Sequence, residues 1–216
     1  MLHCGYLFRG AITLRVIAGL AKGRHLLSVP GEGTRPITDR VKGSLFSILG
    51  GGIEGCAFLD LFAGTGSVGI EALSRGAERV VMIERARKAI VVIKKNLEIT
   101  KLQGAEVIQT DAFRYLAHAD QEFPFDYIYV APPQYEELWA KALLALNDQP
   151  LLAPDGRIIV QIHPKEYHPL NIPNLILVRE RLYGSTVLHF YARRDDVGDL
   201  TAPIRDAEAA DAEDEE

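Results

Sequence analysis

The stretch DLFAGTGSVGIEAL, residues 60–73, decides how this chain folds. Gly64, Gly66 and Gly69 satisfy G-x-G-x-x-G, and the motif stands between an apolar run of strand length (AFLDLF, 57–62) and a stretch with helical spacing (67–75). That is the strand–turn–helix context in which such glycines carry meaning. Without Cβ atoms the backbone can turn tightly and bring its N–H groups close to a ligand. Reading outward, the alternation continues. RVVMIE (79–84) precedes a helix over 86–100, AEVIQT (105–110) a short helix over 112–118, and FDYIYV (125–130) a helix over 136–147. GRIIVQI (156–162), LILVRERLY (175–183) and STVLHFYAR (185–193) complete the set.

Strands with nearly continuous apolar character, separated by helices, predict a mostly parallel sheet covered on both faces. Little more than Gly184 joins the last two strands. That is too short for a parallel crossover, so the sheet should end in an antiparallel strand. The expected fold is α/β and Rossmann-like, with seven strands. Upstream, LRVIAG (14–19) and RHLLSV (24–29) read as a β-hairpin with Gly23 near its turn. Thr38 or Asp39 can cap a helix running to about residue 48. Residues 1–13 form a loose extension, 14–50 an N-terminal hairpin and helix, and 51–194 the main domain.

At 216 residues, with 48% hydrophobic and 25% charged side chains, the composition is that of a globular protein. No run of 18 apolar residues is present, so no membrane partner is expected. Two isolated cysteines, Cys4 and Cys56, suggest a reducing, cytoplasmic setting. The net charge of −5 hides an asymmetry: residues 195–216 hold ten acids against Arg205, whereas residues 1–50 hold seven bases against two acids. The acidic tail has few large apolar side chains and is expected to be disordered. The basic N-terminal part permits a polyanionic partner. The six histidines show no metal-ligand spacing, and no metal is expected. Trp139 reads as a core anchor.

The glycine turn alone permits a dinucleotide. Asp60 argues against one, because a carboxylate four residues before Gly64 would repel a pyrophosphate. S-adenosylmethionine carries no phosphate, and its ammonium suits an acid while its carboxylate suits helix-start N–H groups. Glu84 ends the second strand, where a ribose diol can be met. Asp111 ends the third and can accept from an adenine amino group, with the Ala112 N–H nearby. Three acids at three successive strand tips define one crevice. The expected cofactor contacts are Asp60, the turn residues Phe62, Ala63, Gly64, Thr65, Gly66 and Gly69, then Glu84, Arg85, Asp111 and Ala112. The alternative for each acid is a helix cap.

Four stretches, TRPITDRVKGSLFSIL (34–49), FLDLFAGTGSVGIEALSRGA (58–77), VVMIERARKAIVVIKKNLE (80–98) and FDYIYVAPPQY (125–135), resemble the RsmD-type rRNA guanine-N2 methyltransferases. The glycine turn is shared with many methyltransferases; the TRP-x-TDR-V segment points to this family. The resemblance implies a class I S-adenosylmethionine-dependent fold and methylation of a guanine N2 in small-subunit rRNA; separately, a monomer is expected. It also implies an N-terminal segment that covers the cofactor and helps bind RNA, which singles out Arg35, Thr38 and Arg40, with Lys22, Arg24, Arg15 and Lys42 as further phosphate contacts.

Enzymes that methylate amines in this way carry Asp/Asn-Pro-Pro-Tyr/Phe after the fourth strand. Its first side chain and next carbonyl accept from the target amine, and the aromatic stacks on a flipped-out base. Here the loop reads Ala131-Pro132-Pro133-Gln134-Tyr135. The side-chain acceptor is gone and the aromatic sits one place later. Two readings stay open. Catalysis survives through Ala131, Pro132, Pro133 and Tyr135, or the chain binds cofactor and rRNA as an impaired enzyme or assembly factor. A methyltransferase acting on another amine, such as adenine N6 or a protein side chain, and an NAD-dependent oxidoreductase are the remaining alternatives.

Overall fold

A computed structural model describes residues 14–30, 37–119, 122–197 and 204–206. The extension 1–13, the Gly/Pro-rich stretch 31–36 with Arg35, and most of the acidic tail lie outside the described residues. Five helices are described: α1 (Asp39–Leu49), α2 (Ser67–Ser74), α3 (Arg87–Thr100), α4 (Ala112–His118) and α5 (Leu138–Asn147). The strands are β1 (Ala57–Asp60), β2 (Arg79–Glu84), β3 (Ala105–Gln109), β4 (Phe125–Val130), β5 (Leu152–Ile162), β6 (Leu175–Tyr183), β7 (Thr186–Arg193) and β8 (Ile204–Asp206). They form one sheet in the order β3-β2-β1-β4-β5-β7-β6-β8. The pairs from β3 to β5 are parallel, and β7 runs antiparallel to both β5 and β6.

Alternate residues of each central strand feed two cores. Leu59, Val81, Ile128 and Ile158 face the side closed by α4 and α5, where Trp139 is fully buried as an anchor. Phe58, Val80, Met82, Tyr129 and Ile159 face the side closed by α1 and α2, with Val41, Leu45 and Phe46 of α1 packed on them. Burying a side chain of this size contributes about 1.5–3 kcal/mol. The two-faced sheet therefore explains why its strands lack polar–apolar alternation.

Around the antiparallel bridge of Arg15 with His25, the arm pairs with itself: Val16 N–H donates to the Arg24 carbonyl at 2.9 Å, Gly23 N–H to the Val16 carbonyl at 2.9 Å and Leu26 N–H to the Leu14 carbonyl at 2.7 Å. Other backbone groups of the arm bind side chains of the main domain. Ile17 and Ala18 donate to the Glu71 carboxylate at 2.7 and 3.0 Å, Ala21 to Ser74 Oγ at 2.9 Å, and Leu27 to Asn96 Oδ1 at 2.7 Å. Gly19, at φ +78°, lies so flat on α2 that a Cβ would stand 1.7 Å from the Ser74 carbonyl oxygen. The arm is thus sewn to the main domain. The acidic tail, expected to be disordered, supplies a 3-10 turn (Arg194–Asp196) and β8, which lies parallel to β6 from Arg179↔Ile204 to Arg181↔Asp206. The edge of β6 offers a row of backbone groups, and Ile204-Arg205 interrupts the run of acids there.

Beneath the arm, Lys42 of α1 and Glu71 of α2 are both fully buried, 3.5 Å apart. Lys42 Nζ also donates to the Arg15 carbonyl at 2.6 Å, and Arg75 Nε donates to Glu71 at 2.8 Å. Burial lowers the Lys42 pKa against the pull of Glu71. A buried pair of this kind is retained only when its hydrogen bonds are complete; here they join arm, α1 and α2.

Candidate active site

The carboxyl ends of β1 to β4 meet at one crevice, where this class of sheet binds ligands. At its centre the turn after β1 is built by backbone bonds. Ala63 donates to the Ile83 carbonyl at 2.9 Å, and Gly66 to the Ala63 carbonyl at 2.7 Å. Gly64 has φ +54°, and no atom beyond its own neighbours lies within 4 Å of where a Cβ would stand. That space is open to a ligand. Gly69 serves packing instead, since its missing Cβ would meet the Met82 side chain at 2.9 Å.

Asp60 lies beneath the turn rather than at its rim, 1% exposed. Its Oδ2 accepts from the Gly69 N–H at 3.2 Å, while Oδ1 is buried with no hydrogen-bond partner among the described residues. Burial pushes its pKa up to about 7, partly opposed by the Gly69 N–H. The electrostatic case against a pyrophosphate is correspondingly weaker than the sequence implied. Its place is taken by an orphaned acceptor, which favours a hydrogen-bonding cation.

Glu84, at the tip of β2, spans two turns. Oε2 accepts from Gly64 N–H at 2.9 Å and Oε1 from Ala86 N–H at 2.8 Å. Each oxygen keeps a second acceptor site, which a diol can use. Arg85 beside it is exposed. Asp111 does cap a helix, its Oδ1 accepting from Phe113 and Arg114 N–H at 2.9 and 3.2 Å. Its Oδ2 makes no bond among the described residues, so the cap and the amine contact are compatible. Ala112 is buried as the first residue of α4. Phe62 and Phe113 meet edge to face, centroids 6.3 Å apart, an apolar wall of which the sequence reading named only Phe62. Thr65 joins the set through its carbonyl, which accepts from Asn96 Nδ2 at 2.9 Å.

The loop after β4 carries Ala131, half-buried, Pro132, buried, and Pro133, half-buried, before Tyr135 emerges 68% exposed. Tyr135 sits at φ +63° and Glu137 at φ +56°, sparsely populated conformations that surrounding contacts must hold. For Tyr135 those contacts come from a 3-10 turn after β5 (Pro164–Glu166). Glu166 accepts from Tyr135 N–H at 2.7 Å and from His163 N–H at 3.2 Å, and the His163 ring lies 5.9 Å from that of Tyr135. Sequence reading missed Glu166. The spacing His163-x-x-Glu166 is that of a capping box with histidine in the serine position. Gln161, a lone amide in the apolar run GRIIVQI, was also missed. Its Oε1 accepts from the buried Tyr129 hydroxyl at 2.6 Å.

The N-terminal bases divide. Lys42 is buried in the ion pair and reaches no phosphate. Arg15 pairs with Asp39 at 2.7 Å. Thr38 caps α1 through Val41 N–H at 3.3 Å. Lys42 and Phe46 of α1 meet Glu71 and Arg75 of α2 in that order, so the two helices run the same way and the first turn of α1, with Thr38 and exposed Arg40, lies toward the crevice end. Lys22 and Arg24 do not: Arg24 Nη1 donates to the Ile99 carbonyl in the last turn of α3, at 3.4 Å. Both residues therefore sit at the opposite end of the sheet, where cations suit helix C-termini. Among the described residues no group of three His, Cys, Asp or Glu side chains could hold a metal ion, and no helix is long and apolar enough to cross a membrane.

Comparison with known proteins agrees with this architecture. YlbH of Bacillus subtilis (strain 168) is 42% identical over 184 residues, spanning 84% of this chain and 100% of that one. Ribosomal RNA small subunit methyltransferase D of Escherichia coli (strain K12) is 34% identical over 184 residues, 85% of this chain and 92% of that one. The solved structure of yhhF from Escherichia coli superposes with a TM-score of 0.75 at 34% identity, covering 84% of this chain and 98% of that chain. The family model described as Conserved hypothetical protein 95 matches residues 14–192. This chain belongs to that family, the RsmD family.

Proposed function

We propose that the protein is an S-adenosylmethionine-dependent rRNA methyltransferase that places a methyl group on the exocyclic N2 of a guanine in small-subunit rRNA. The observation that carries the reading is the pairing of an open Gly64 with the orphaned, buried Asp60 Oδ1 beneath it. This cradle suits a ligand bearing an ammonium, and Glu84 and Asp111 stand at the adjoining strand tips. The family relationship to a protein named as a small-subunit rRNA methyltransferase supports the substrate class.

On this reading Asp60 and the start of α2 hold the amino-acid end of the cofactor, Glu84 the ribose and Asp111 the adenine, against the Phe62–Phe113 wall. The bound cofactor supplies an electrophilic methyl group on a sulfonium. The chain contributes position. The Pro132 carbonyl accepts from the target amine and Tyr135 stands ready to stack on a base drawn out of its helix. The amine that Pro132 and Tyr135 hold in place would take that methyl group, and its surplus proton would leave to solvent. No strong general base is needed. Arg40, exposed in the first turn of α1, is the phosphate contact on this reading.

Incubation with tritiated cofactor and small-subunit rRNA, followed by mass mapping of the methylated nucleotide, tests this. Label in an N2-methylguanine is expected. Label in adenine or in protein would redirect the substrate, and no incorporation despite cofactor binding would favour an assembly factor.

A further inference from the structure

Methylation of an amine at this loop calls for two acceptors, one for each N–H of the target, so that the nitrogen lone pair turns toward the methyl carbon. Pro132 offers its carbonyl, and Ala131 offers nothing. The replacement stands on the next strand. β4 and β5 run parallel in the register Tyr129↔Ile159 and Val130↔Val160. Continued by one step, this sets Ala131 beside Gln161. The two share a face, since strand side chains alternate and Tyr129 reaches Gln161 along it.

We infer that Gln161 is the missing acceptor: its carboxamide oxygen, aimed by the Tyr129 hydroxyl, receives the second N–H of the target amine in the space that Ala131 leaves. This inference rests on the methyltransferase reading. Three observations support it. Gln161 is the lone uncharged polar side chain in an otherwise apolar run of β5 and is half-buried at the strand tip. Tyr129 is 2% exposed, so its hydroxyl bond at 2.6 Å fixes the amide rather than decorating a surface. A carboxamide oxygen has two acceptor sites, of which Tyr129 uses one. Asparagine at 131 would compete for the same volume, so the small residue and the glutamine are parts of one arrangement. Tyr129 is a positioning residue, acting through the amide.

Single-turnover methyl transfer to rRNA by the full chain tests the assignment, with cofactor affinity measured alongside by calorimetry. Gln161→Met keeps the side-chain length but removes the acceptor; transfer should slow by about 10²-fold, the scale of losing one preorganised polar contact, at unchanged cofactor affinity. Gln161→Glu keeps an acceptor and should stay within about tenfold of the native rate. Tyr129→Phe should slow transfer by about tenfold, and adding Ala131→Asn to Gln161→Met should recover most of the loss. Native-like transfer by Gln161→Met overturns the assignment, as does a large gain from Ala131→Asn in the native background. A native chain that binds cofactor yet methylates no RNA overturns the methyltransferase reading itself, and this assignment with it.

Discussion

The Glu166 carboxylate accepts the backbone N–H of Tyr135 at 2.7 Å, so a side chain beyond β5 holds the loop beyond β4 in a left-handed conformation. Glu166→Ala removes that hold and leaves the Tyr135 N–H without its acceptor. Transfer should slow by about 10²-fold, the scale of a 1 Å misplacement, with cofactor affinity unchanged. Glu166→Gln, which still accepts, should recover most of the rate. Parallel single-turnover assays and calorimetry separate the two.

Asp60 should make cofactor binding depend on pH. Its pKa is raised to about 7 by burial, and a bound ammonium favours the ionised form. Binding therefore lowers the pKa and releases a proton, so affinity rises with pH below about 7 and levels above it. Calorimetry between pH 6 and about 7.5 should show this rise in the native protein. Asp60→Asn should bind more weakly and show a flat profile; an unchanged slope would remove Asp60 from the cofactor site.

The buried pair predicts unequal losses. Lys42→Met leaves Glu71 with Arg75 and two backbone donors, and should cost about 2 kcal/mol. Glu71→Ala strands the Lys42 charge and the Ile17 and Ala18 N–H groups together, and should cost at least about 4 kcal/mol. Denaturant unfolding of both variants checks the order.

Gly19→Ala puts a methyl group into the backbone of α2 at a left-handed φ. A loss of about 2–4 kcal/mol is expected, visible as a lower melting temperature. A neutral result would mean that the arm does not lie on α2 in solution.

The contrast between these residues shows what a sequence can reveal. The sheet was legible because parallel strands buried on both faces read as unbroken apolar runs, as in RVVMIE. The glycine turn and the acids at 60, 84 and 111 were legible because their spacing follows the strand ends. Lys42 was misread as a phosphate contact because its partner, Glu71, belongs to a different helix. Glu166 and Gln161 escaped because their role depends on which strand lies next to which, and adjacency of β4 with β5 is a property of the sheet.

Asn96 binds Leu27 with both ends of its amide and the Thr65 carbonyl with its Nδ2. One carboxamide therefore ties the N-terminal arm to the glycine turn proposed to hold the methyl donor. Modular exchange between relatives is constrained accordingly: a chimera taking its first fifty residues from one parent and its catalytic half from another inherits a mismatched splice at this amide, and should lose donor affinity even where every donor contact is native.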